Sequence, residues 1–428
     1  MTETANASVA DIVSLFGSRA KNAARHMGAA SPAAKEQALL SLAELLIGHE
    51  QQLLAANNED VNRTRAAGLD SARLDRLRLT PAIIAEMAKA CRDIAAQPDP
   101  IGAMDSQWQQ PNGLLVGKMR VPLGVIAMIF ESRPNVTVDS AILCLKAGNA
   151  VILRGGSEAL QSNLYLIGLV RQALAGAHLP EDAAQLIPVA DRSAVTELCK
   201  LDSHVDVMIP RGGESLIRTV ASLAAMPVLK HDKGVCHAYV DKGADLDLAV
   251  PVIVNAKANR PSTCNALECL LIHEQEAAAL LPPLGSALRD AGVEMRACRR
   301  SLSILEQNGI RATPAEQSDY GAEFLALILA VAIVDSLDEA LDHIARYASR
   351  HTEVIFSRDQ GSISRFLREV DASMVAVNVS NRLNDGAQLG LGAEIGISTS
   401  KLHAYGPMGL RELTTTKYVV MGAGQVRQ

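Results

Sequence analysis

The sequence predicts an α/β protein built on two Rossmann-like parallel sheets, and three observations support that prediction. From Val125 onward, short apolar segments alternate with helical ones, which is typical of strand–helix–strand units. The strand segments are apolar along their whole length, as expected of a parallel sheet that helices cover on both faces. The chain of 428 residues is also too long for one compact core, so two or three domains are expected.

Composition excludes several classes of function. A net charge of −6 without a basic block, and an aromatic content of 3%, argue against binding of nucleic acid. The longest apolar run, Phe324–Val334, is far shorter than the ~18 residues of a membrane-spanning helix, so it is predicted to be buried core. The polar segment Met1–Asp11 lacks the features of an export signal, so the seven cysteines are predicted to be reduced thiols in the cytoplasm. No CxxC pair is present, and no metal site is predicted.

The first hundred residues are predicted to be helical, and a hairpin follows them. Ser31-Pro32 and Thr80-Pro81 each place a capping hydroxyl before a proline at the first helical position. The turn Pro111-Asn112-Gly113 predicts a hairpin over 108–121. Such a hairpin either pairs with another subunit or is a plain connector. The β-like tail Thr416–Val420 is a candidate third strand beside it.

Two series of strands and helices follow the hairpin. The first has predicted strands at 125–130, 150–154, 186–189 and 205–210, and helices at 136–146, from 157, at 192–201 and from 214. The second has predicted strands at 226–229, 235–241, 267–272, 324–334, 353–356 and 375–379, and helices at 246–259, 274–291 and 337–349. The predicted domains are 1–228, which includes the 108–121 flap and to which 394–428 returns, and 229–393.

Two paired-glycine turns are candidate cofactor sites. They are Arg154-Gly155-Gly156-Ser157 and Arg211-Gly212-Gly213-Glu214. Each joins a strand to the start of a helix, where backbone N–H groups and the helix dipole favour an anion such as a phosphate. The alternative is that the glycines only permit tight turns, but two parallel occurrences on one sheet favour a cofactor. The chain has neither a GxGxxG fingerprint nor a GxxxxGK[ST] phosphate loop.

One cysteine has a chemical context. Cys264 lies in the polar loop of "ANRPSTCNALECLL", between a predicted helix end and a predicted strand start. A sulfur in such a loop faces a cleft and has backbone N–H groups near it, whereas most free cysteines are buried and inert. Cys269, Cys144 and Cys199 are predicted to be packing residues. A thiol beside a dinucleotide domain suggests attack on a carbonyl, followed by hydride transfer at the covalent adduct.

Four long segments also carry a family resemblance. They are 121–159, with "FESRPN" and "LRGGSEA"; 259–273, with "NRPSTCNALE"; 342–355, with "SRHTEVI"; and 390–419, with "GLGAEIGIST". These segments closely resemble the γ-glutamyl phosphate reductase family, also called glutamate-5-semialdehyde dehydrogenases, within the aldehyde dehydrogenase superfamily. Ala348 departs from the glycine or serine expected there. The resemblance implies an aldehyde dehydrogenase-like fold with a cofactor domain, a catalytic domain and a β-strand oligomerisation flap.

The resemblance also implies an activity. NADPH would reduce L-glutamyl 5-phosphate to L-glutamate 5-semialdehyde and phosphate, the second step of proline synthesis from glutamate. Cys264 would be the nucleophile that forms a thioester, and Asn135 an oxyanion donor. Arg154 would meet the adenosine ribose and suit the 2′-phosphate of NADPH, while Glu323 would orient the nicotinamide ribose. The implied substrate-binding residues are Arg133, Lys401 and His403 as anion partners and Asn378 as a polar contact, each with a surface salt bridge as the alternative.

The resemblance further implies a homo-oligomer that receives its substrate from glutamate 5-kinase. Hydrolytic aldehyde dehydrogenases place a glutamate base where this chain has His231, and a missing base would spare the thioester from water. His231 could itself serve as a base. Two rival hypotheses stay open: a hydrolytic enzyme acting on a small aldehyde, and a non-catalytic scaffold of the same fold.

Overall fold

The computed structural model describes residues 8–68, 71–230 and 233–427, which form two compact units. Unit 1 comprises Met1–Lys230, Gly390–Gly396 and Met408–Gln428. Unit 2 comprises His231–Leu389 and Ile397–Pro407. Residues 397–407, which the sequence analysis placed with the first domain, therefore group with unit 2.

Unit 1 begins with helices whose caps agree with the sequence prediction. These are α1 (Val9–Ala29), α2 (Pro32–Gly48), α3 (Glu50–Ala66), α4 (Ser71–Leu77) and α5 (Pro81–Ala95). The Ser31 and Thr80 hydroxyls accept from the backbone N–H groups of Ala34 and Ile83, at 3.2 and 3.3 Å. Each cap satisfies one N–H group that a helix start leaves without a partner, and the predicted helix starts are confirmed.

A four-stranded parallel sheet forms the core of unit 1. Its strands are β3 (Val125–Phe130), β4 (Ala150–Arg154), β5 (Ala184–Leu186) and β6 (Val207–Arg211). The helices that follow them are α6 (Asn135–Lys146), α7 (Leu160–Gly176), α8 (Ser193–Cys199) and α9 (Glu214–Leu223). The strand order is β5-β4-β3-β6. After β3 the chain adds β4 and β5 on one side of that strand and then β6 on the other side. The end of β3 is therefore the topological switch point of a doubly wound sheet.

Two strand predictions near this sheet need correction. The strand predicted at 186–189 lies at 184–186, because Pro188 has no N–H group to continue the ladder. The segment 226–229 does not open the second series. It contributes a single parallel bridge between Val228 and Met208, and so belongs to the sheet of unit 1.

A separate antiparallel sheet in unit 1 contains the predicted hairpin. Its strands are β1 (Met104–Gln109), β2 (Leu115–Pro122) and β16 (Thr414–Met421), in the order β1-β2-β16. The C-terminal strand pairs with β2 along its whole length, from Thr414 opposite Pro122 to Met421 opposite Leu115. The predicted third strand is therefore confirmed. We call this three-stranded sheet the flap.

Unit 2 contains a larger parallel sheet. Its strands are β7 (Cys236–Val240), β8 (Leu267–His273), β9 (Glu294–Ala297), β10 (Thr313–Pro314), β11 (Ile328–Val334), β12 (Thr352–Phe356) and β13 (Met374–Val377). Its helices are α10 (Leu246–Ala258), α11 (Glu274–Asp290), α12 (Arg299–Gln307), α13 (Leu337–Tyr347) and α14 (Gln360–Glu369). A short pair, β14 (Ile397–Ser398) and β15 (Gly406–Pro407), completes the unit.

The strand order of this sheet is β10-β9-β11-β8-β7-β12-β13, and all its pairs are parallel. Every residue of β7 and β8 is buried, as the apolar strand pattern predicts. Strand β11 begins at Ile328 rather than at Phe324, because Leu325 has a left-handed backbone with φ of +52° that interrupts extended structure. Among the described residues, no helix combines the length and apolar character that crossing a bilayer demands.

Candidate active site

The carboxyl ends of three strands in unit 1 bring the two glycine turns to one edge of the sheet. Arg154 pairs with Ile129 at the end of β4, and Arg211 pairs with Phe130 at the end of β6. Both arginines therefore flank the end of β3, at the switch point where doubly wound sheets bind ligands. This placement is the one that the sequence predicted for the two turns.

The turn after β4 has room for glycine only. A side chain on Gly155 would overlap the amide of Asn163, and one on Gly156 would overlap the carboxylate of Glu158. That carboxylate accepts from both the backbone N–H and the hydroxyl of Ser132, at 2.7 and 2.8 Å. The turn is thus held close to the loop that follows β3.

Arg154 is a buried cation with one donor unused. Its Nη2 donates to the carbonyl of Ala190 at 3.2 Å, whereas its Nε is buried and has no hydrogen-bond partner. Burial lowers the pKa of Arg154, Glu158 opposes that effect, and the nearby Arg192 adds to it. Arg192 precedes α8, and no motif in the sequence pointed to it. A buried guanidinium with an unmet N–H, beside a second arginine, is chemically suited to a phosphate-bearing ligand.

The turn after β6 differs from the first, because the protein supplies its own anion. The backbone N–H of Gly213 donates to the Glu131 carboxylate at 3.1 Å. A side chain on Gly212 would overlap that carboxylate. Glycine at this position is therefore explained by the approach of Glu131. The predicted contact of Arg211, Gly212 and Gly213 with a cofactor stays a prediction.

Two residues that the sequence indicated as candidate site residues follow β3. Asn135 is the first residue of α6, and its Nδ2 donates to the carboxylate of Asp139 at 2.9 Å. Burial raises the pKa of Asp139 to about 6. Arg133 has an exposed side chain and follows Ser132, whose φ is +49°. The roles predicted for Asn135 and Arg133 stay predictions.

In unit 2, Cys264 lies in the loop between α10 and β8. Of the seven cysteines, only Cys264 and Cys298 are partly exposed. The Cys298 sulfur accepts from the N–H of Ser301 and so caps helix α12. Burial raises the pKa of the Cys269 and Cys236 thiols well above the ordinary value, which keeps both protonated. Accessibility thus favours Cys264 as the reactive thiol.

Buried polar groups hold this loop at both ends. Lys257, near the end of α10, forms an ion pair with Glu268 on β8, and both side chains are almost fully buried. Burial raises the pKa of Glu268, an effect that the Lys257 cation opposes. The Asn265 amide donates to the carbonyl of Asn384 at 2.9 Å. These contacts join the helix end, the loop and the strand start.

Glu323 is linked to the Cys264 loop through one glycine. Its carboxylate accepts from the backbone N–H of Gly234 at 2.9 Å. A side chain on Gly234 would overlap the backbone of Cys264, so the two backbones are in direct contact. The structure thus brings together Glu323 and Cys264, both named from the sequence, at the amino-terminal edge of the sheet. Gly234 was missed, since a single glycine gives no motif.

The predicted substrate-binding residues of unit 2 have mixed surroundings. The Asn378 amide both donates to and accepts from the backbone of Ser357, at 3.0 and 3.1 Å, so it joins the ends of β13 and β12. Lys401 forms an exposed ion pair with Asp371 at 2.9 Å. His403 is exposed and has a φ of +72°. The ion pair of Lys401 is the surface salt bridge that was its alternative, the backbone contact of Asn378 was not foreseen, and the substrate contacts stay predictions. His231 lies outside the described residues.

A buried cluster offers the ligand types of a metal site. His237, Cys269 and His343 each bring one ligand atom within 4.8 Å of the others. Burial lowers the pKa of both histidines to about 3 and raises that of the Cys269 thiol well above its ordinary value. The imidazoles are therefore neutral at physiological pH, but the thiol is protonated, which opposes binding of a metal. The predicted absence of a metal stays a prediction.

A doubly wound sheet with an arginine–glycine turn and, in the same chain, an α/β unit with an accessible loop cysteine agree with the class of aldehyde dehydrogenases. The model of the aldehyde dehydrogenase family matches residues 1–297. Enzymes of this class are oxidoreductases that act on the aldehyde group with a nicotinamide cofactor.

Closer relatives narrow the class. The chain is 63% identical to the gamma-glutamyl phosphate reductase of Nitratidesulfovibrio vulgaris (strain DP4), over 98% of this chain and 100% of that protein. It is 52% identical to the gamma-glutamyl phosphate reductase of Anaeromyxobacter sp. (strain Fw109-5), over 100% of both chains. The crystal structure of the Thermotoga maritima gamma-glutamyl phosphate reductase superposes with a TM-score of 0.94 at 42% identity, covering 98% of this chain and 100% of the other. The chain belongs to the gamma-glutamyl phosphate reductases of the aldehyde dehydrogenase family.

The buried ion pair yields a stability prediction. Lys257→Met leaves the Glu268 carboxylate buried without its cation, so the free energy of unfolding should fall by about 3–5 kcal/mol. Urea denaturation measures the change. In the double variant Lys257→Met/Glu268→Leu, most of the loss should be recovered, because no charge stays buried.

The matched control is Lys200→Met, which removes the exposed ion pair of Lys200 with Glu197. It should cost less than about 1 kcal/mol. A Lys257→Met protein as stable as this control would show that the buried pair does not hold the loop.

Proposed function

We propose that the chain catalyses the NADPH-dependent reduction of L-glutamyl 5-phosphate to L-glutamate 5-semialdehyde and phosphate, the second step of proline synthesis from glutamate. The names of its full-length relatives support the substrate and the reaction. The observation that carries the mechanism is the position of Cys264, a partly exposed thiol whose backbone is packed against Gly234 and tied to Glu323.

Cys264 would act as the nucleophile. Its thiolate attacks the acyl carbon, the bond from that carbon to the phosphate oxygen breaks, and phosphate leaves with the electron pair. The product is a γ-glutamyl thioester on Cys264. The contacts of Lys257, Glu268 and Asn265 hold the loop in one position for this attack, because catalysis depends on fixed geometry of the reacting atoms.

The residues of unit 1 fit a nicotinamide dinucleotide. The Gly155-Gly156 turn has no room for a side chain, and the buried Nε of Arg154 has no partner. Arg154, Ser157 and Arg192 would hold the adenosine end, and the two arginines would suit the 2′-phosphate that distinguishes NADPH from NADH. When bound, NADPH supplies the hydride that reduces the acyl group. Glu323 would orient the nicotinamide ribose.

Two carboxylates near the Cys264 loop, those of Glu268 and Glu323, are already engaged. Glu268 is paired with Lys257 and also accepts from the N–H of Leu325 at 3.2 Å, while Glu323 accepts from Gly234. A free carboxylate would activate water and hydrolyse the thioester. Engaged carboxylates favour transfer of the acyl group between sulfur and phosphate, which distinguishes this reaction from that of a hydrolytic aldehyde dehydrogenase.

The reverse reaction separates these two functions. With glutamate 5-semialdehyde as substrate, steady-state reduction of NADP⁺ should require phosphate or arsenate, because only the oxyanion can discharge the thioester. The measurement is the absorbance of NADPH with and without the anion, with NAD⁺ in place of NADP⁺ as the test of coenzyme preference.

Sustained turnover without any oxyanion would instead establish the hydrolytic enzyme. A non-catalytic scaffold predicts no turnover under either condition, even with the Cys264 thiol intact.

We also propose that the flap joins copies of this chain into a homo-oligomer. Trp108, Val116 and Val420 lie opposite one another across the three strands, and Tyr418 lies two residues along from Val420 on the same face. The Tyr418 side chain is 65% exposed, and that of Val420 is 54% exposed. This face is mainly apolar, with the Lys118 ammonium 5.4 Å from the centre of the Tyr418 ring, and β16 is an outer strand of the sheet. Such a face is suited to burial against another subunit.

The oligomer prediction is tested by light scattering. The native mass should be a multiple of 45.4 kDa, and Val420→Lys should shift it toward a single chain, because a charge on the apolar face opposes burial. Leu402→Lys is the matched control, since Leu402 is 86% exposed in unit 2 and lies outside the flap. A wild-type protein that is monomeric at all concentrations would contradict the proposal.

We further propose that the protein works in the cytoplasm and takes its substrate from glutamate 5-kinase. The seven cysteines are all free thiols, which suits a reducing compartment. Acyl phosphates hydrolyse readily in water, so a nearby kinase is the source that the chemistry favours.

A further inference from the structure

A short turn beside the Cys264 loop carries an arginine that no sequence motif indicated. The 3₁₀ turn Asn381–Leu383 is held by buried amides. The Asn381 Nδ2 donates to the carbonyl of His237 at 2.9 Å. The Asn265 Nδ2 donates to the carbonyls of Arg382 and Asn384, at 3.4 and 2.9 Å. The backbone of Arg382 is therefore fixed next to the residue that follows Cys264.

The Arg382 guanidinium has a donor without an acceptor. Its Nε is buried and has no hydrogen-bond partner. A buried donor that makes no hydrogen bond costs free energy, and arginine donors are planar and directional. A buried N–H without an acceptor, on a cation next to the loop of the reactive thiol, indicates an acceptor that arrives with the substrate.

The charges around Arg382 indicate the kind of acceptor. Burial lowers the pKa of Arg382, Asp385 opposes this effect, and Arg260 adds to it, while Cys264 and Cys236 favour the cation. Arg260 belongs to the same loop as Cys264 and has an exposed side chain. Two like charges close to each other repel, and a dianion relieves this repulsion better than a single carboxylate does. A phosphate carries nearly two negative charges at neutral pH.

We propose that Arg382, with Arg260 beside it, is the subsite for the phosphoryl group of the acyl phosphate and for inorganic phosphate in the reverse reaction. This inference rests on the proposed function. As the bond from sulfur to the acyl carbon forms and the bond from that carbon to oxygen breaks, the electron pair moves onto the phosphate. The guanidinium stabilises this growing charge through paired N–H donors. In reverse, a phosphate oxygen held by Arg382 attacks the thioester, and the Cys264 thiolate leaves.

The phosphate, rather than the α-carboxylate of the substrate, is assigned to Arg382 because of the connectivity of the substrate. The phosphate is bonded through one oxygen to the carbon that Cys264 attacks. The α-carboxylate lies at the far end of the glutamyl chain. An arginine on the segment adjoining the nucleophile therefore serves the leaving group.

Arg382→Gln tests the subsite in the NADP⁺-dependent oxidation of glutamate 5-semialdehyde. The KM for phosphate should rise at least about tenfold, because a charge-assisted hydrogen bond is lost, and Arg382→Lys should be intermediate. The burst of NADPH formed without phosphate should be retained, since acylation of Cys264 does not use the anion. Arg358→Gln, which removes an exposed ion pair with Asp245, is the matched control and should leave both quantities unchanged.

A second readout needs neither cofactor nor turnover. Inorganic phosphate should slow the alkylation of Cys264 by iodoacetamide in the wild-type protein, and this protection should be lost in Arg382→Gln and weakened in Arg260→Gln. The subsite would be overturned if Arg382→Gln had an unchanged KM for phosphate and unchanged protection of Cys264. It would also be overturned if Arg382→Gln lost both the burst and the binding of glutamate semialdehyde. If the wild-type protein needs no phosphate at all, the proposed function fails, and that result is distinct from a failure of Arg382 alone.

Discussion

The buried contact between Lys257 and Glu268 is the constraint on which the candidate active site depends. Lys257 lies in the last turn of α10 and Glu268 is the second residue of β8, so the ion pair holds both ends of the loop that carries Cys264. Burying two charges costs free energy unless they form an ion pair. Arrangements of the loop that separate Lys257 from Glu268 are therefore disfavoured. The backbone of Cys264 can then lie directly against Gly234, which the Glu323 carboxylate holds from the other side.

The same arrangement decides which chemistry the thiol can perform. An accessible cysteine near a free carboxylate base would favour hydrolysis of an acyl intermediate, whereas Glu268 here is paired with Lys257 and Glu323 accepts from the N–H of Gly234. The positively charged groups are Arg260 within the loop and Arg382 beside it, with the Asp385 carboxylate near Arg382. The electrostatics of unit 2 therefore agree with the reaction that the relatives' names suggest.

The sequence predicted what depends on local pattern. The apolar strands, the caps at Ser31 and Thr80, the glycine turn after Arg154 and the polar loop of Cys264 all follow from neighbouring residue types. Contacts between distant segments gave no local signal. The Glu131 carboxylate at Gly213, the engagement of Asn378 by Ser357, and the contact of Asn265 with Arg382 arise only when strands and turns far apart in the chain are folded together.

The most direct test of the account is a rapid-quench experiment without phosphate. Wild-type protein mixed with NADP⁺ and glutamate 5-semialdehyde should form about one NADPH per active site and then stop. Peptide mass spectrometry should find one glutamyl group on Cys264, which added phosphate should remove. A burst that persists in Cys264→Ser, or a glutamyl group on any other residue, would contradict the assignment of Cys264 as the nucleophile.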